Sequence, residues 1–308
     1  MGDSSRPVRV ICGPTAAGKT TAAAWFAQRT DVTVISADSR QLYRGFDIGT
    51  AKPTRDELRR LPHLGIDVLD PAQRASAVWW AEQADGWIDD VVRGGRTPLV
   101  VGGTGLYLRA LFGALFEEPE LDLSRRTGVQ TVLGERSTED LRRWVLALDP
   151  ARAHLGRTQL LRAAEVALLT GRRLSDLHRE RVRPPRRRAR YLVIDPGPVL
   201  GDRIAGRTHE MIVAGWLEEV RSLMALVPED APAWNASGYR TIRDAVRGVI
   251  SIADAEQRVV IETRQYAKRQ RTWFRHQLAG EDVTRLCTDQ TDWAERAAAW
   301  WSEGETDE

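Results

Sequence analysis

The segment that most constrains the fold is the glycine-rich run at residues 13–20, GPTAAGKT. It matches the phosphate-loop pattern Gly-x4-Gly-Lys-Ser/Thr. The apolar residues 8–12 before it predict a buried strand, and residues 21–29 after it predict a helix. Backbone N–H groups at such a strand-to-helix turn converge on an anion. We therefore predict that the run binds a phosphate chain, and the alternative of a turn without a ligand explains the spacing less well.

Each residue type in this run has a separate use. Gly13 and Gly18 permit backbone angles that a Cβ would obstruct. Lys19 can place an ammonium among phosphate oxygens, and the Thr20 hydroxyl suits Mg²⁺. The run thus predicts both an anion site and a cation beside it.

Composition narrows the class of protein. With 308 residues and 42% hydrophobic content, the chain can form one large or two modest domains. No apolar run approaches the roughly 20 residues of a membrane span, and the first residues lack the apolar core of a signal peptide, so we expect a cytoplasmic protein without a membrane. Two cysteines, Cys12 and Cys287, are too few for a disulfide framework or a four-ligand zinc site, and both are expected to be reduced.

Alternating strands and helices follow the first loop. Residues 32–37 and 97–101 predict buried strands, with Asp38 directly after the first and the turn Gly-Gly-Thr at 102–104 directly after the second. Helices are predicted at 54–61 and 75–92, with a short strand at 65–71. The pattern predicts the α/β class with a P-loop NTPase-like parallel sheet core flanked by helices. In such a sheet, ligands bind at the carboxyl ends of the strands.

Beyond about residue 117 the pattern becomes helical, without strands up to residue 190. We divide the chain into a first core part at 1–118, a helical insertion domain at 119–189, and a core completion with C-terminal helices at 190–308. Helices are predicted in the insertion at 138–148, 159–170 and 173–179. In the completion, a strand at 191–194 precedes helices at 200–214, 217–226, 239–246 and 253–278, and the acidic tail at 302–308 is expected to be disordered.

Two basic segments stand out although the net charge is only +2. Residues 179–190 carry seven arginines, which fits a solvated linker or, alternatively, phosphate contact. On the helix at 253–278 a basic ridge runs beside an apolar stripe. The ridge comprises Arg264, Lys268, Arg271 and Arg275, and the stripe comprises Val260, Thr263, Ala267 and Phe274. Spacing alone leaves open whether the ridge binds a ligand.

The chemistry of the predicted site also stays open at this point. Asp38 can hold Mg²⁺ for phosphoryl transfer, as acids at strand ends do in many phosphate-loop enzymes. It can equally act as a general base toward a nucleophile beside a diphosphate leaving group. Spacing alone does not separate these roles.

Several segments together resemble the tRNA dimethylallyltransferase (IPP transferase) family. The most specific is residues 35–53, ISADSRQLYRGFDIGTAKP, which joins Ser-x-Asp-Ser-x-Gln to Asp-Ile-Gly-Thr-Ala-Lys-Pro. Further matches are the phosphate loop, GGTGLY at 102–107, and segments at 203–211, 238–240, 263–270 and 272–275. The resemblance covers about residues 8–278.

The resemblance implies transfer of a dimethylallyl group from dimethylallyl diphosphate to N6 of adenosine 37 in tRNA, the base 3′ of the anticodon. It implies that Asp38 accepts the N6 proton and that Thr104 contacts the reacting nucleotide. Mg²⁺ would be the cofactor, with Thr20 as its ligand, and we expect a monomer. The implied diphosphate-binding residues are Gly13, Thr15, Ala16, Ala17, Gly18, Lys19, Thr20 and Arg207.

The resemblance also implies contacts with the anticodon stem-loop of tRNA. They lie in the segment after Asp38, where the target adenine would enter the site, in the insertion and in the C-terminal helices. The residues are Ser39, Arg40, Gln41, Arg126, Gln159, Arg162, Gly238, Arg240, Lys268, Arg269, Gln270, Trp273 and Arg275. For Trp273, packing is an alternative to stacking on a base. The family's Asn-Asp segment is absent near residues 156–162, so the contacts of that region stay open.

Three other functions are compatible with part of these sequence features. A relative that prenylates free AMP, ADP or ATP would share the donor site, but the basic C-terminal helix and the insertion favour a macromolecular acceptor. A phosphate-loop kinase would need an ATP γ-phosphate. A tRNA-binding protein without catalysis would not explain Lys19, Thr20, Asp38 and Thr104 together.

Overall fold

Six parallel strands form the sheet that carries the phosphate loop. The described strands are β1 (Val8–Cys12), β2 (Val32–Ser36), β3 (His63–Leu64), β4 (Thr97–Gly102), β5 (Leu115–Phe116), β6 (Val182–Arg183), β7 (Ala189–Ile194) and β8 (Val283–Leu286). The sheet has the order β3-β2-β4-β1-β7-β8, and β5 and β6 form a separate antiparallel pair. The parallel order matches the α/β class predicted from the sequence, because parallel neighbours need helical crossovers.

The computed structural model describes residues 6–113, 115–116, 121–180 and 182–303. It divides the chain into a core unit, up to Phe112 and from Arg186 onward, and a second unit, Gly113–Pro185. The core-unit helices are α1 (Lys19–Ala27), α2 (Arg55–Arg60), α3 (Ala77–Arg93), α4 (Gly105–Phe112), α9 (Leu200–Val213), α10 (Trp216–Leu226), α11 (Tyr239–Val246), α12 (Ile252–Gln277) and α13 (Trp293–Ser302). The second unit has α5 (Leu123–Gly134), α6 (Thr138–Leu148), α7 (Arg157–Thr170) and α8 (Leu174–Glu180).

The second unit has its own apolar core and one buried acid. Leucine, valine and alanine side chains of α5 to α8 pack together around Leu160 and Ala163. Glu165 of α7 is buried beside them and accepts hydrogen bonds from Arg126 and Gln130 at 2.8 and 2.6 Å. Although burial raises it, the pKa of Glu165 is lowered overall by the hydrogen bonds from Arg126 and Arg162.

Several elements differ from the sequence-based expectations. The strand expected at 65–71 is wrong: the short strand β3 lies before it, and residues 65–71 form only an isolated bridge at Leu69. Gly65 and Asp67 take left-handed backbone angles of φ +79° and +55°, through which a strand cannot continue. The stretch expected to contain helices only includes β6, and α5, β8 and α13 were not predicted. On α12, Val260 and Thr263 are only half-buried. The buried positions are Ala255, Val259, Ala267, Gln270 and Phe274.

For the second half of the arginine-rich segment at residues 179–190, the prediction of a solvated linker is wrong. Arg187 donates to Asp85 at 2.6 Å and to Asp89 at 2.7 Å, and Arg186 donates to Glu82 at 3.1 Å. These three acids lie three and four residues apart on α3, so they present one acidic face to the segment. Arg181 lies outside the described residues, and the side chain of Arg183 is not described.

Aromatic side chains of α13 close one apolar cluster of the core unit. Trp300 and Trp301 contact Phe26 of α1, with ring centroids 5.6 and 4.6 Å apart. The same cluster contains Ile11 of β1 and Leu192 of β7. The last helix therefore belongs to the core that holds the phosphate-loop strand. In the described part of the chain, no helix combines the length and apolar character that crossing a bilayer requires.

The strand register brings the carboxyl ends of the central strands level. Cys12 is paired with both Gly102 and Val193, and Ser36 is paired with Val101. The residues after β1, β2 and β4 therefore lie side by side. At Gly102 the backbones approach so closely that a Cβ would lie 2.2 Å from the carbonyl oxygen of Ala37.

We predict opposite effects of alanine at two glycines. Gly102→Ala should destabilise the fold by about 3 kcal/mol or more, because its Cβ meets rigid backbone and not a flexible side chain. Gly86→Ala, in the exposed middle of α3 with open space around it, should stabilise the fold by about 0.5–1 kcal/mol. Urea unfolding measures both. Equal stability of the two variants would contradict the close approach at Gly102.

Candidate active site

The phosphate loop folds around the ammonium group of Lys19. Its Nζ donates to the carbonyl oxygens of Gly13 at 3.1 Å and Pro14 at 2.7 Å. Two left-handed residues, Ala16 at φ +59° and Gly18 at φ +93°, turn the chain into α1. This backbone gives the loop the concave form in which N–H groups can face an anion.

Asp38 and Thr104 lie at neighbouring strand ends, as expected from the sequence. The Asp38 carboxylate accepts the backbone N–H of Arg40 at 2.9 Å. The backbone N–H of Thr104 donates to the carbonyl of Ala37 at 3.1 Å, and the Thr104 hydroxyl accepts the N–H of Ser39 at 3.1 Å. These bonds fix the turn after β2 against the turn after β4, so the two polar side chains occupy one edge of the sheet.

One carboxylate influences three ionisable groups of the site. Burial lowers the pKa of Lys19 to about 8, and Asp38 opposes this change. Burial also lowers the pKa of Arg207, again against the effect of Asp38. For Tyr266, burial raises the pKa to about 12, and the negative charge of Asp38 adds to the rise. The site therefore combines a carboxylate with two partly desolvated cations.

A pocket opens at this group of residues. Its polar lining residues include Thr15, Asp38 and Arg207. Its apolar lining residues include Ile204, Met211, Trp216 and Val259. Within the described ranges, Arg207 has no hydrogen-bond or ion-pair partner. The wall can thus receive a molecule with a charged end and a short apolar end.

A second pocket, here called the basic pocket, shares Arg40, Ala236, Ser237 and Tyr266 with the first one. It carries three arginines and one acid, and its other lining residues are Trp234, Asn235, Gly238, Arg240, Glu262, Gln265 and Arg269. Arg240 donates to Asn235 at 2.6 Å, and Arg269 lies over the Tyr266 ring at 6.0 Å from its centroid. Among the predicted tRNA contacts, Arg40, Gly238, Arg240 and Arg269 meet here.

The loop at residues 40–53 owes its form to two side chains. The Lys52 side chain is only 4% exposed and donates to the carbonyl of Tyr43 at 2.6 Å, to Asp47 at 2.6 Å and to Asp67. Glu219 of α10 accepts the backbone N–H groups of Asp47 and Ile48 at 3.0 and 2.6 Å. The loop therefore holds Gly49 and Thr50 in the pocket wall. The sequence reasoning missed Glu219, because nothing in a pair of helical glutamates indicates a contact with a loop residue 171 positions earlier.

Gln41 has internal contacts where a tRNA contact was expected. Its amide nitrogen donates to the carbonyls of Thr50 and Ala51 at 3.3 and 3.1 Å, and its amide oxygen accepts from Ser36 at 3.0 Å. Ser39 is half-buried beside Thr104. The segment after Asp38 is therefore held mainly by bonds within the core unit.

The basic ridge of α12 is reduced by ion pairs and hydrogen bonds. Arg264 donates to the carbonyl of Gly201 at 3.1 Å, and Arg271 donates to Asp195 at 2.9 Å. Lys268, Arg269 and Arg275 are exposed. Gln270 is buried, and Trp273 packs against Gly105, where a Cβ would lie 2.3 Å from the indole. Two residues of the ridge, Lys268 and Arg275, are thus available to an anionic partner, and Arg269 beside them is also exposed.

Residues of the second unit expected to contact tRNA have partners within that unit. Arg126 and Arg162 both pair with Glu165. Gln159 accepts the backbone N–H of Gly156 at 3.1 Å and so caps the start of α7. Their tRNA contacts stay predictions.

The described residues contain no cluster of three or more His, Cys, Asp or Glu side chains suited to a metal ion. Mg²⁺, however, is usually bound by one or two protein groups together with substrate phosphates and water. Thr20 is exposed on the first turn of α1, next to the phosphate loop. The residues therefore fit a Mg²⁺ ion that arrives with a phosphate-bearing substrate, and Thr20 remains its predicted ligand.

Comparisons of the sequence and of the structure with known proteins agree on one family. A tRNA dimethylallyltransferase of Gloeobacter violaceus is 43% identical over 280 residues, which cover 88% of this chain and 89% of that protein. One of Thermosynechococcus vestitus is 39% identical over 282 residues, covering 89% of this chain and 88% of that protein.

Solved structures agree with these sequence relatives. The tRNA isopentenylpyrophosphate transferase of Bacillus halodurans aligns over 98% of both chains with a TM-score of 0.67 and 29% identity. A eukaryotic dimethylallyltransferase acting on tRNA aligns over 97% of this chain and 78% of that chain, with a TM-score of 0.79 and 25% identity. The family model described as IPP transferase matches residues 41–277. With most of its length covered at this similarity, the chain belongs to the IPP transferase family.

Proposed function

We propose that this protein transfers a dimethylallyl group from dimethylallyl diphosphate to N6 of adenosine 37 in tRNA, releasing diphosphate. The observation that carries the proposal is a pocket lined by Asp38, Arg207 and apolar side chains, in which Asp38 also lies near enough to Lys19 to influence its pKa. Curated relatives that match most of the chain are tRNA dimethylallyltransferases. The names of these relatives indicate the reaction, and the pocket contains groups that are suited to each of its steps.

The cationic side of the pocket suits the leaving group. When the allylic C1–O bond breaks, its electron pair leaves with the diphosphate oxygen, which gains negative charge. We expect Lys19, Arg207 and the N–H groups of the phosphate loop, apart from that of Thr15, which donates to Gln270, to stabilise that charge. Partial burial of both cations strengthens this effect, because the field of a charge is less screened away from bulk water.

The acidic side suits the acceptor. As the N6 lone pair forms the new C–N bond to C1, the amine must lose a proton, and the Asp38 carboxylate can accept it. The Thr104 hydroxyl lies at the adjoining strand end and can orient the base. The products are then the prenylated adenine, diphosphate and a protonated Asp38 that returns its proton to solvent.

The apolar wall suits the transferred group. Ile204, Met211, Trp216 and Val259 present aliphatic and aromatic surface next to Arg207. A five-carbon chain gains free energy by leaving water for such a surface. These side chains would also keep water from the allylic carbon as its positive charge develops.

Mg²⁺ is part of the proposal, with Thr20 as the protein ligand. When bound, the ion would neutralise charge on the diphosphate. The protein's own contribution is independent of that ion: Lys19 and Arg207 hold the anion, and Asp38 holds the proton.

The basic pocket suits an RNA acceptor. An adenine stacked in an anticodon loop must leave the stack to reach Asp38. The pocket lined by Arg40, Arg240 and Arg269 adjoins the donor pocket and can contact phosphates beside such a base. Exposed Lys268 and Arg275 extend this positive surface along α12. We therefore propose the anticodon stem-loop as the partner, and free AMP, ADP or ATP as the second candidate acceptor.

We predict that the purified protein with Mg²⁺ labels unmodified tRNA from radiolabelled dimethylallyl diphosphate. The same incubation with AMP, ADP or ATP should give no labelled nucleotide. These acceptors have no adjoining nucleotides whose phosphates the basic pocket could contact. Label in the free nucleotides alone would favour the adenylate prenyltransferase. ATP turnover without any prenyl transfer would favour the kinase and overturn the proposal.

Replacing Asp38 should separate chemistry from donor binding. Asp38→Ala should lower kcat by at least about 100-fold, the usual effect of losing a general base. Binding of inorganic diphosphate should be unchanged or slightly tighter, since a negative charge near Lys19 and Arg207 is removed. Asp90→Ala, at a carboxylate 60% exposed on α3, is the matched control. A near wild-type kcat for Asp38→Ala would refute the role of Asp38 as base.

The lowered pKa of Lys19 predicts a pH dependence of diphosphate binding. Below about pH 8 the side chain carries its charge in the folded protein, and above that value it loses the proton. The affinity advantage of wild type over Lys19→Met should therefore fall by up to about tenfold per pH unit above 8. Calorimetry on both proteins removes the ionisation of diphosphate itself from the comparison. An advantage that stays constant beyond about pH 9 would contradict the depressed pKa.

A further inference from the structure

Gln270 of α12 is a buried polar side chain that joins two loops of the site. It is 7% exposed. Its amide oxygen accepts the backbone N–H of Thr15, in the phosphate loop, at 2.8 Å. Its amide nitrogen donates to the carbonyl of Gly103, in the turn after β4, at 2.8 Å. One side chain thus spans the loop that would hold diphosphate and the turn that carries Thr104.

The turn is built to admit this amide. A Cβ on Gly103 would lie 2.4 Å from the Gln270 amide nitrogen, closer than Cβ atoms normally approach. A larger residue at this position would therefore displace the amide from its present contacts.

Two further residues of α12 hold the same turn. Tyr266 lies near the Thr104 side chain, and the Trp273 indole packs on Gly105. Positions 266, 270 and 273 lie on one face of a helix, being separated by four and three residues. Gly103, Thr104 and Gly105 therefore each lie beside one side chain of a single helix.

We propose that Gln270 is a positioning residue for prenyl transfer, which fixes the distance between the phosphate loop and the Thr104 turn. The inference rests on the proposed function and gives Gln270 a different task from the tRNA contact expected from the sequence. An amide is suited to this task because it accepts from an N–H and donates to a carbonyl at once. Loss of either bond would let the leaving group and the acceptor base drift apart, and misplacement by about 1 Å can cost 100-fold in rate.

Glutamate at this position separates the two bonds without changing the shape. In Gln270→Glu, one carboxylate oxygen can still accept from Thr15, but an ionised carboxylate has no proton to donate to the Gly103 carbonyl. Protonation restores the missing donor. Burial beside a carbonyl raises the pKa of such a carboxyl group, so protonation should occur within an accessible pH range.

The test is single-turnover prenyl transfer to tRNA by wild type, Gln270→Glu and Gln270→Met across about pH 6 to 8.5. We expect Gln270→Glu to lose about 10- to 100-fold in rate at the highest pH and to recover at least about fivefold relative to wild type as the pH falls. Affinity for inorganic diphosphate should stay within about threefold, since the Thr15 bond remains. Gln270→Met, with neither bond, should be slow at every pH. Gln257→Glu, at an exposed position of α12, is the control for added charge and should match wild type.

The outcomes are distinct. A Gln270→Glu/wild-type ratio that does not change with pH, or an effect confined to tRNA affinity, would overturn the positioning role and favour direct RNA contact. If circular dichroism shows that both Gln270 variants fail to fold, the residue serves stability and the proposal is wrong. Failure of the proposed function is seen separately, as absence of transfer by wild type.

Discussion

The active-site edge depends on the close backbone contact between the ends of parallel strands. Cys12 of β1 is in register with Gly102 of β4 and with Val193 of β7. The Gly102 backbone meets that of Ala37 at a distance that leaves no room for a side chain. Because the strand ends are level, the phosphate loop, Asp38 and Thr104 lie side by side at one edge of the sheet. The distances between the charged groups of the site depend on this register.

The charges of the site are arranged around a single carboxylate. Asp38 lies near enough to Lys19, Arg207 and Tyr266 to affect the pKa of each. Partial burial makes the two cations more costly to keep charged, and an arriving diphosphate would relieve that cost. The same burial leaves an apolar wall beside them. In the proposed reaction, donor binding and proton transfer would therefore share one electrostatic environment.

Helix α12 connects this environment to the positive surface. Its buried face holds the Thr104 turn and the phosphate loop through Gln270, while Lys268 and Arg275 face solvent on other sides. The loop at residues 40–53 is fixed in a similar way by Lys52 and Glu219. In both cases a side chain satisfies backbone groups that would otherwise stay unpaired in a partly buried wall.

The sequence by itself determined the strand-loop-helix unit, the strand ends that carry Asp38 and Thr104, and the family resemblance, because these follow from local patterns of apolar residues and glycine. It did not determine which polar residues turn inward. Arg187 pairs with Asp85 and Asp89, Arg126 and Arg162 pair with Glu165, and Gln270 bridges Thr15 and Gly103. Those partners lie far apart along the chain, so a local pattern carries no record of them. Only the tertiary structure decided them, because the need to satisfy buried charges and backbone groups is met by whichever side chain the fold brings near.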